Sequence, residues 1–457
     1  MSEVKRKTLI NDFTTGPVTP QLIKFATPLF FSGLLQTVYN MVDMIVVGQY
    51  VGSGGLSAVA LGGEVMMMLT FVAMGMSNAG QVLISQLIGA GRRDDLKRMI
   101  GTLFTFLACC ALTVSMVCLM LRFQILGILN TPVEAWDSAV DYVTVCIFGL
   151  IFIYGYNLVS AIMRGMGDSK RPFIFIAIAS VTNLVLDMLF IAVFDMGTMG
   201  AALATVIGQA ISFIFAITYL YNHKEQFGFD FKPSSFRIHG DMLSSLIKLG
   251  IPMVLQSAAI TFSKLFITSW INSYGVVMSA LTGIGNKLQS VTNVFAQAFT
   301  TSGASMVAQN IGAEKYERVP KIIKTLFVVD GIITAVLVTA IVLFPQQIFG
   351  IFTNDEAVLS LVGMYLPVAV LQFCSCVLRP PMSALINGSG NPKLNFAIAI
   401  LDGLMMRIGL AYVLGIPMGF GIHGFWYGNA LASFMPFVIG MPYFLSGGWK
   451  KNRLVFK

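Results

Sequence analysis

Asp43 stands inside an apolar run, Tyr39-Asn40-Met41-Val42-Asp43, with Gln36 and Asn40 on neighbouring turns. A second acid, Asp187, closes the run Asn183-Leu184-Val185-Leu186-Asp187. Asn183 and Asp187 are four residues apart and so share one face of a helix. Thr205 follows in the next apolar run, Ala201-Ala202-Leu203-Ala204-Thr205. Two carboxylates with amide and hydroxyl oxygens can hold a proton or a small hard cation, and a carboxyl removed from water takes up a proton more readily. Asp43, Asn183, Asp187 and Thr205 are therefore the candidate cation-coupling group, and the same four are the possible Na⁺ site. The plainer reading is that each acid is simply buried and hydrogen-bonded.

Other ionisable residues interrupt apolar sequence. Glu64 lies in the first half of the chain, and Lys264, Lys287, Asp330, Arg379, Asp402 and Arg407 lie in the second. A charge in hydrocarbon costs at least ~2.5–3.5 kcal/mol on insertion scales, so each needs a partner, a water-filled cavity or a function. Gly62-Gly63-Glu64 aligns with Gly285-Asn286-Lys287, which sets an acid in one half against a base in the other. Glu64 with Lys287, and Asp402 with Arg407, are candidate structural ion pairs. Gln36, Asn40, Glu64, Asn157, Gln256 and Lys287 are candidate lining residues of a substrate cavity. Pro28 removes a backbone hydrogen bond and lets its helix bend, and Pro252 matches it in the second half.

The elements that must carry these residues follow from composition. Of the 457 residues, 56% are hydrophobic and only 11% are charged, with mean hydropathy +0.80. A soluble domain carries about 25% charged residues, so lipid must cover most of this chain. Runs such as Leu103–Leu121, Phe173–Phe194, Phe327–Phe344 and Phe396–Met418 approach the ~20 residues that span hydrocarbon as a helix. They are apolar on all sides, which excludes the alternating strands of a membrane barrel. Twelve spans are expected: 22–50, 55–88, 98–121, 139–163, 172–194, 199–221, 243–274, 280–308, 321–344, 359–387, 394–416 and 421–446. The N-terminus, with Lys5, Arg6 and Lys7 before a polar stretch, does not read as a cleavable signal. The six cysteines sit in apolar runs without metal-site spacing and are expected to be buried packing residues.

Charge placement orients the spans. With a cytoplasmic N-terminus, most of the 29 lysines and arginines fall in cytoplasmic segments, from Lys5 to Lys7 through Arg92–Arg98 and Lys315–Lys324 to Lys450–Lys457. Arg122 is the sole base in the outer connections, beside Glu134, Asp137, Asp195, Asp355 and Glu356. That is the positive-inside pattern. Both termini are expected in the cytoplasm of a multi-pass plasma-membrane protein. The net charge of +8 is spread over separate segments, which argues against nucleic acid as a partner.

The chain echoes itself at an offset near 223. Ile84-Ser-Gln-Leu-Ile-Gly-Ala90 pairs with Val307-Ala-Gln-Asn-Ile-Gly-Ala313, and Arg164-Gly-Met-Gly-Asp168 pairs with Asn387-Gly-Ser-Gly-Asn391. Gly165, Gly167, Gly388 and Gly390 lie where a helix must stop and turn, where glycine tolerates positive φ. An even number of spans per repeat makes the halves parallel, related by an axis along the membrane normal. The expected organisation is an all-α membrane protein: an N-lobe over 1–221, a cytoplasmic linker over 222–242, a C-lobe over 243–446 and a cytoplasmic tail over 447–457. Such lobes suit alternating access; no channel filter or enzymatic constellation is seen.

The residues quoted resemble the MATE family, multidrug and toxic compound extrusion transporters. The likeness rests on Pro28, Gln36 and Asn40…Asp43…Gly48, on Gln86…Gly89-Ala90-Gly91, on Arg164-Gly-Met-Gly-Asp168, on Asn183…Asp187 and on Gly200-Ala-Ala…Thr205, with second-half echoes at Gln309…Gly312-Ala313 and Asn387-Gly-Ser-Gly390. It implies a twelve-helix, two-lobe secondary exporter of organic cations or amphipathic drugs, a functional monomer without cofactor, driven by H⁺ or Na⁺. The branch with functional acids in the N-lobe is the closer likeness. There the residues matching Asp43, Asn183, Asp187 and Thr205 form the cation site, and the proline matching Pro28 bends the first helix. Lys264 and Arg379 stand in the spans where another branch carries acids. These bases, with Lys287 and Arg407, sustain one alternative, a flippase of lipid-linked precursors with a basic cavity.

Overall fold

The computed structural model describes residues 10–451, with the side chain of Ser53 left aside. The expected bases at Lys5, Arg6, Lys7, Arg453 and Lys457 lie outside the described residues. Twelve long helical segments fall on the twelve expected spans. In chain order they are α1 (Val18–Tyr50), α2 (Gly52–Gly89), α3 (Arg93–Ile128), α4 (Val133–Phe148 with Leu150–Gly165), α5 (Lys170–Val193) and α6 (Gly197–Asn222). The second set is α7 (Gly240–Asn272), α8 (Val276–Gly312), α9 (Val319–Leu343), α10 (Val362–Gly388), α11 (Pro392–Gly415) and α12 (Ile422–Leu445).

Ten of these are apolar and long enough to cross a membrane as single helices, and α4 is an eleventh, bent by 45°. The bend falls at Gly149, where a Cβ would press on the Val206 side chain. The twelfth, α8, spans 37 residues but carries Asn286, Lys287, Gln289, Asn293, Gln297, Gln309 and Asn310. Its length would cross a bilayer, and polarity along its whole course keeps its hydropathy low.

Two helices widen into π turns beside their ionisable residues. In α5 the π segment Met188–Val193 follows Asp187 directly. In α11 the segment Leu401–Met406 contains Asp402 and ends against Arg407. Such widenings concentrate at functional positions.

The chain divides into two compact units. The first comprises 1–12 and 27–250, the second 13–26 and 251–457. The divisions fall inside α1, before Pro28, and inside α7, before Pro252. The expected linker, 222–242, lies wholly within the first unit. It is held to α3 by an aromatic cluster, Phe104 with Phe229, Phe231 and Phe236 at 5.6–6.1 Å between ring centres. Lys97 adds an ion pair to Asp230 at 2.8 Å, and the Thr102 hydroxyl accepts from the His239 backbone N–H at 3.1 Å.

The second unit takes the start of α1 into its core. Phe13, Leu22 and Phe25 are buried with Phe299, Ile322, Leu385 and Trp449. The backbone N–H of Phe13 donates to Gln309 Oε1 at 3.0 Å, and Lys315 donates to the Thr14 carbonyl at 3.0 Å.

The repeat is expressed as packing. A Cβ at Gly80 would stand 2.6 Å from Leu103, and one at Gly303 would stand 2.7 Å from Leu326. A Cβ at Gly165 would stand 2.8 Å from Ile84, and one at Gly388 would stand 2.8 Å from Val307. Each pair recurs at the offset of 223. Of the four turn glycines, Gly167 and Gly390 adopt positive φ, +85° and +67°. Gly165 and Gly388 remain helical and serve close approach instead.

The cysteines correct one expectation. Cys118, Cys146 and Cys376 are buried, but Cys109 is exposed and Cys110 and Cys374 are half-buried. Cys109 lies on a face of α3 that it shares with exposed Leu112 and Met116, an apolar stripe suited to lipid.

Candidate cation-coupling site

In the first unit, α1, α5 and α6 bring Asp43, Asn183, Asp187 and Thr205 together. Asp43 and Asp187 are buried, and their carboxyl groups meet at hydrogen-bonding range. Asn183 is also buried. Its amide satisfies its surroundings with nitrogen donating to Asp187 Oδ2 at 3.1 Å and oxygen accepting from the Thr205 backbone N–H at 3.2 Å. The hydrogen-bond pattern is what assigns this orientation. One carboxylate oxygen of each acid, Asp43 Oδ1 and Asp187 Oδ1, has no hydrogen-bond partner among the described residues. Buried polar atoms are rarely left so.

A small space, of about 10 Å³, adjoins the group, lined by Tyr39, Ser180, Asn183, Thr205 and Gln209 among others. Tyr39 and Gln209 line it together, and Tyr142 is a further neighbour of Asp43. Tyr39, Gln209, Ser180 and Tyr142 were not singled out from sequence. Tyr39 precedes Asp43 by four residues and Gln209 follows Thr205 by four. The same-face rule that joins Asn183 to Asp187 would have found both.

The remaining candidates are not among the residues that line the space beside this group. Gln36, Asn40 and Glu64 are exposed on the first unit. Asn157 is half-buried and its amide donates to the Ile153 carbonyl at 2.8 Å, within its own helix. Pro28 is half-buried inside α1, and its carbonyl accepts from the Ser32 hydroxyl at 2.8 Å. On the second unit Gln256 is half-buried and Lys287 exposed.

The second unit carries different chemistry. Arg407 is 1% exposed and binds Asp402 at 2.7 Å, the pair expected from sequence. Arg407 also donates to Asn429 Oδ1 at 2.6 Å and to the Ser433 hydroxyl at 3.3 Å. Breaking a buried pair of this kind by removing one partner typically costs about 3–5 kcal/mol. No acid stands in α7 or α10 between Ser257 and Asn272 or between Leu366 and Asn387.

The chain was compared with known proteins. The family described as MatE matches twice, over residues 28–189 and again over 252–413, the copies beginning at Pro28 and Pro252. The probable multidrug resistance protein YoeA of Bacillus subtilis is 25% identical over 99% of both chains. YpnP of the same organism, also named a probable multidrug resistance protein, is 33% identical over 67% of this chain and 68% of its own. The multidrug export protein MepA of Staphylococcus aureus is 24% identical over 86% of this chain and 87% of its own. Among solved structures, a MOP-superfamily transporter from Pyrococcus furiosus superposes with a TM-score of 0.89 at 22% identity, covering 98% of this chain and all of that one. With two copies of the family pattern laid over its two halves, this multi-pass membrane protein belongs to the MATE family.

Proposed function

We propose that this protein is a secondary active exporter of organic cations and amphipathic drugs, coupled to an inward cation flux at Asp43 and Asp187. Relatives named for multidrug resistance or export support the substrate class. The meeting of the two buried carboxyl groups is the observation that carries the coupling reading. Two carboxylates in one dry site repel, and binding a proton between them relieves that repulsion. Asn183 turns its nitrogen toward Asp187, which suits a carboxyl pair that takes a proton. Sodium would need that amide reversed so that its oxygen could ligate.

In this mechanism the pair binds a proton from the outer side and releases it inward, and the drug moves outward on the alternate step. Pro28 supplies a point where α1 can bend. The chain works as a monomer in the plasma membrane with both termini in the cytoplasm.

The test is ethidium transport by proteoliposomes under imposed H⁺ and Na⁺ gradients, applied separately. The expected result is transport driven by the H⁺ gradient and loss of at least tenfold in Asp43→Asn, with the variant inserted at wild-type level. Full transport by Asp43→Asn, or transport indifferent to both gradients, would reject the coupling role.

A further inference from the structure

A small space in the second unit, of about 20 Å³, lies between α7, α8, α10 and α12. A single water needs about 10–15 Å³, so the space takes one or two waters or an ion of similar size. We propose that it binds one halide ion, ordinarily chloride, with Lys264 as the charged ligand.

Charge is unbalanced around the space. Lys264, on α7, has Arg407, Arg379 and Asp402 as charged neighbours. Asp402 is taken by Arg407 at 2.7 Å. Arg379 donates to a neutral partner, Asn293 Oδ1, at 2.8 Å. Among the described residues neither Lys264 nor Arg379 forms an ion pair. Three cations therefore share one acid. Lys264 lies eight residues from Asn272, the end of α7, about 12 Å along the helix axis. A charged group at that depth needs a counter-charge, a polar space or a path to an interface. Lys264 lines the space, and an anion there supplies the missing charge.

The acceptors on the wall are already engaged. Asn429 Oδ1 accepts from Arg407 at 2.6 Å, and Gln372 Oε1 accepts from the Tyr365 hydroxyl at 3.5 Å. Thr282 Oγ1 accepts from Trp426 Nε1 at 2.9 Å and gives its own proton to the Met278 carbonyl at 2.8 Å. Asn429 and Gln372 are left with their NH₂ groups to offer, and Lys264 adds the donors of its ammonium. A water in this space has to place two hydrogens of its own as well as accept. A halide only accepts, and it complements a wall of donors.

Size sets the ligand class. A space of about 20 Å³ excludes any anion with a carbon frame and any phosphate or sulfate ester. Ile267, Ile271 and the Trp426 ring make the rest of the wall apolar. Such a wall suits a singly charged halide, which sheds its hydration more readily than a compact ion of higher charge.

The experiment measures the ³⁵Cl NMR linewidth of sodium chloride with the full chain in phosphatidylcholine nanodiscs, empty nanodiscs serving as the baseline. Excess broadening is expected that saturates with chloride, is reversed by bromide and is untouched by gluconate. Lys264→Met is expected to weaken chloride at least tenfold, Lys264→Arg to retain part of the binding, and Lys287→Met, on the exposed face of α8, to leave it unchanged. Gln372→Glu, which places a fixed acid on the wall, is expected to abolish it. Thermal melts establish that each variant is folded. Crystals grown in sodium bromide are expected to show an anomalous scattering peak beside Lys264. No saturable broadening by the wild type, reversal by gluconate, full binding by folded Lys264→Met or by folded Gln372→Glu, or a space without an anomalous peak each overturns the proposal and assigns the space to water. The assay uses no gradient and no exported drug, so its outcome is independent of the export reading.

Discussion

The ring of Tyr142 occupies the space that a Cβ at Gly62 would need, and the ring of Tyr365 does the same at Gly285. Both members of the pair recur at the offset of 223, and both tyrosines are buried. The contact fixes how tightly α2 packs on α4, and α8 on α10. In the first unit it also seats Tyr142 beside Asp43.

Gly62→Ala is therefore expected to lower stability through overpacking, by about 1–3 kcal/mol. Gly285→Ala is expected to act alike. Gly63→Ala is the control, since nothing lies within 4 Å of a Cβ there. Thermal unfolding of the purified variants measures all three. A Gly62→Ala variant as stable as Gly63→Ala would show that Tyr142 can yield.

Around Asp187, the amide of Asn183 and the hydroxyl of Thr205 are not equivalent. Asn183 donates directly to Asp187, whereas Thr205 serves the group through its backbone N–H. Asn183→Ala removes a bond to a carboxyl group, a class worth about 1.5–3 kcal/mol. Proton-driven ethidium transport is expected to fall about tenfold or more. Thr205→Val keeps the backbone donor and is expected to fall by less than half of that on a logarithmic scale. Equal losses in the two variants would mean that the threonine hydroxyl itself binds the coupling ion.

The cytoplasmic segment over 222–242 has a pH dependence of its own. Lys97, with Ser235 and the backbone N–H of Lys232, holds the Asp230 carboxyl well below the usual carboxylate range. A depressed value stabilises the docked segment above the unfolded carboxylate's value, near 3.9. That contribution is lost only as pH falls through the folded one. Amide exchange over 228–236 is expected to stay protected, once corrected for intrinsic rates, from pH 8 down to pH 5. Asp230→Asn is expected to raise exchange there at pH 7. Unaltered protection in that variant would assign the docking to the phenylalanines alone.

The spans and the residues that gather around Asp43 and Asp187 were legible in the sequence for the same reason. Apolar runs of fixed length, broken by few charges, leave little freedom in where a helix crosses or which residues share its face. Asn183 and Asp187 announce their pairing by spacing. The π turns at Met188–Val193 and Leu401–Met406 were not legible, because their composition is that of ordinary apolar helix. The unit division was not legible either. It depends on Phe13, Leu22 and Phe25 packing with side chains almost 300 residues or more further along, which no local pattern records. The docking of the linker was not legible either, since nothing in a polar stretch records that Phe229, Phe231 and Phe236 pack on α3.

The placement of the divisions inside α1 and α7 bears on how such a chain could be dissected. A cut anywhere in 222–239 separates the sequence repeats but not the packed units. The front fragment would carry 13–26, whose core lies in the second unit, and would lack 240–250, which belong to the first. Each fragment would be missing a piece that the other holds. Activity from split halves would therefore require exchange of helix ends during assembly, and a fragment expressed alone would present an unfilled core to the chaperones and proteases that survey the membrane.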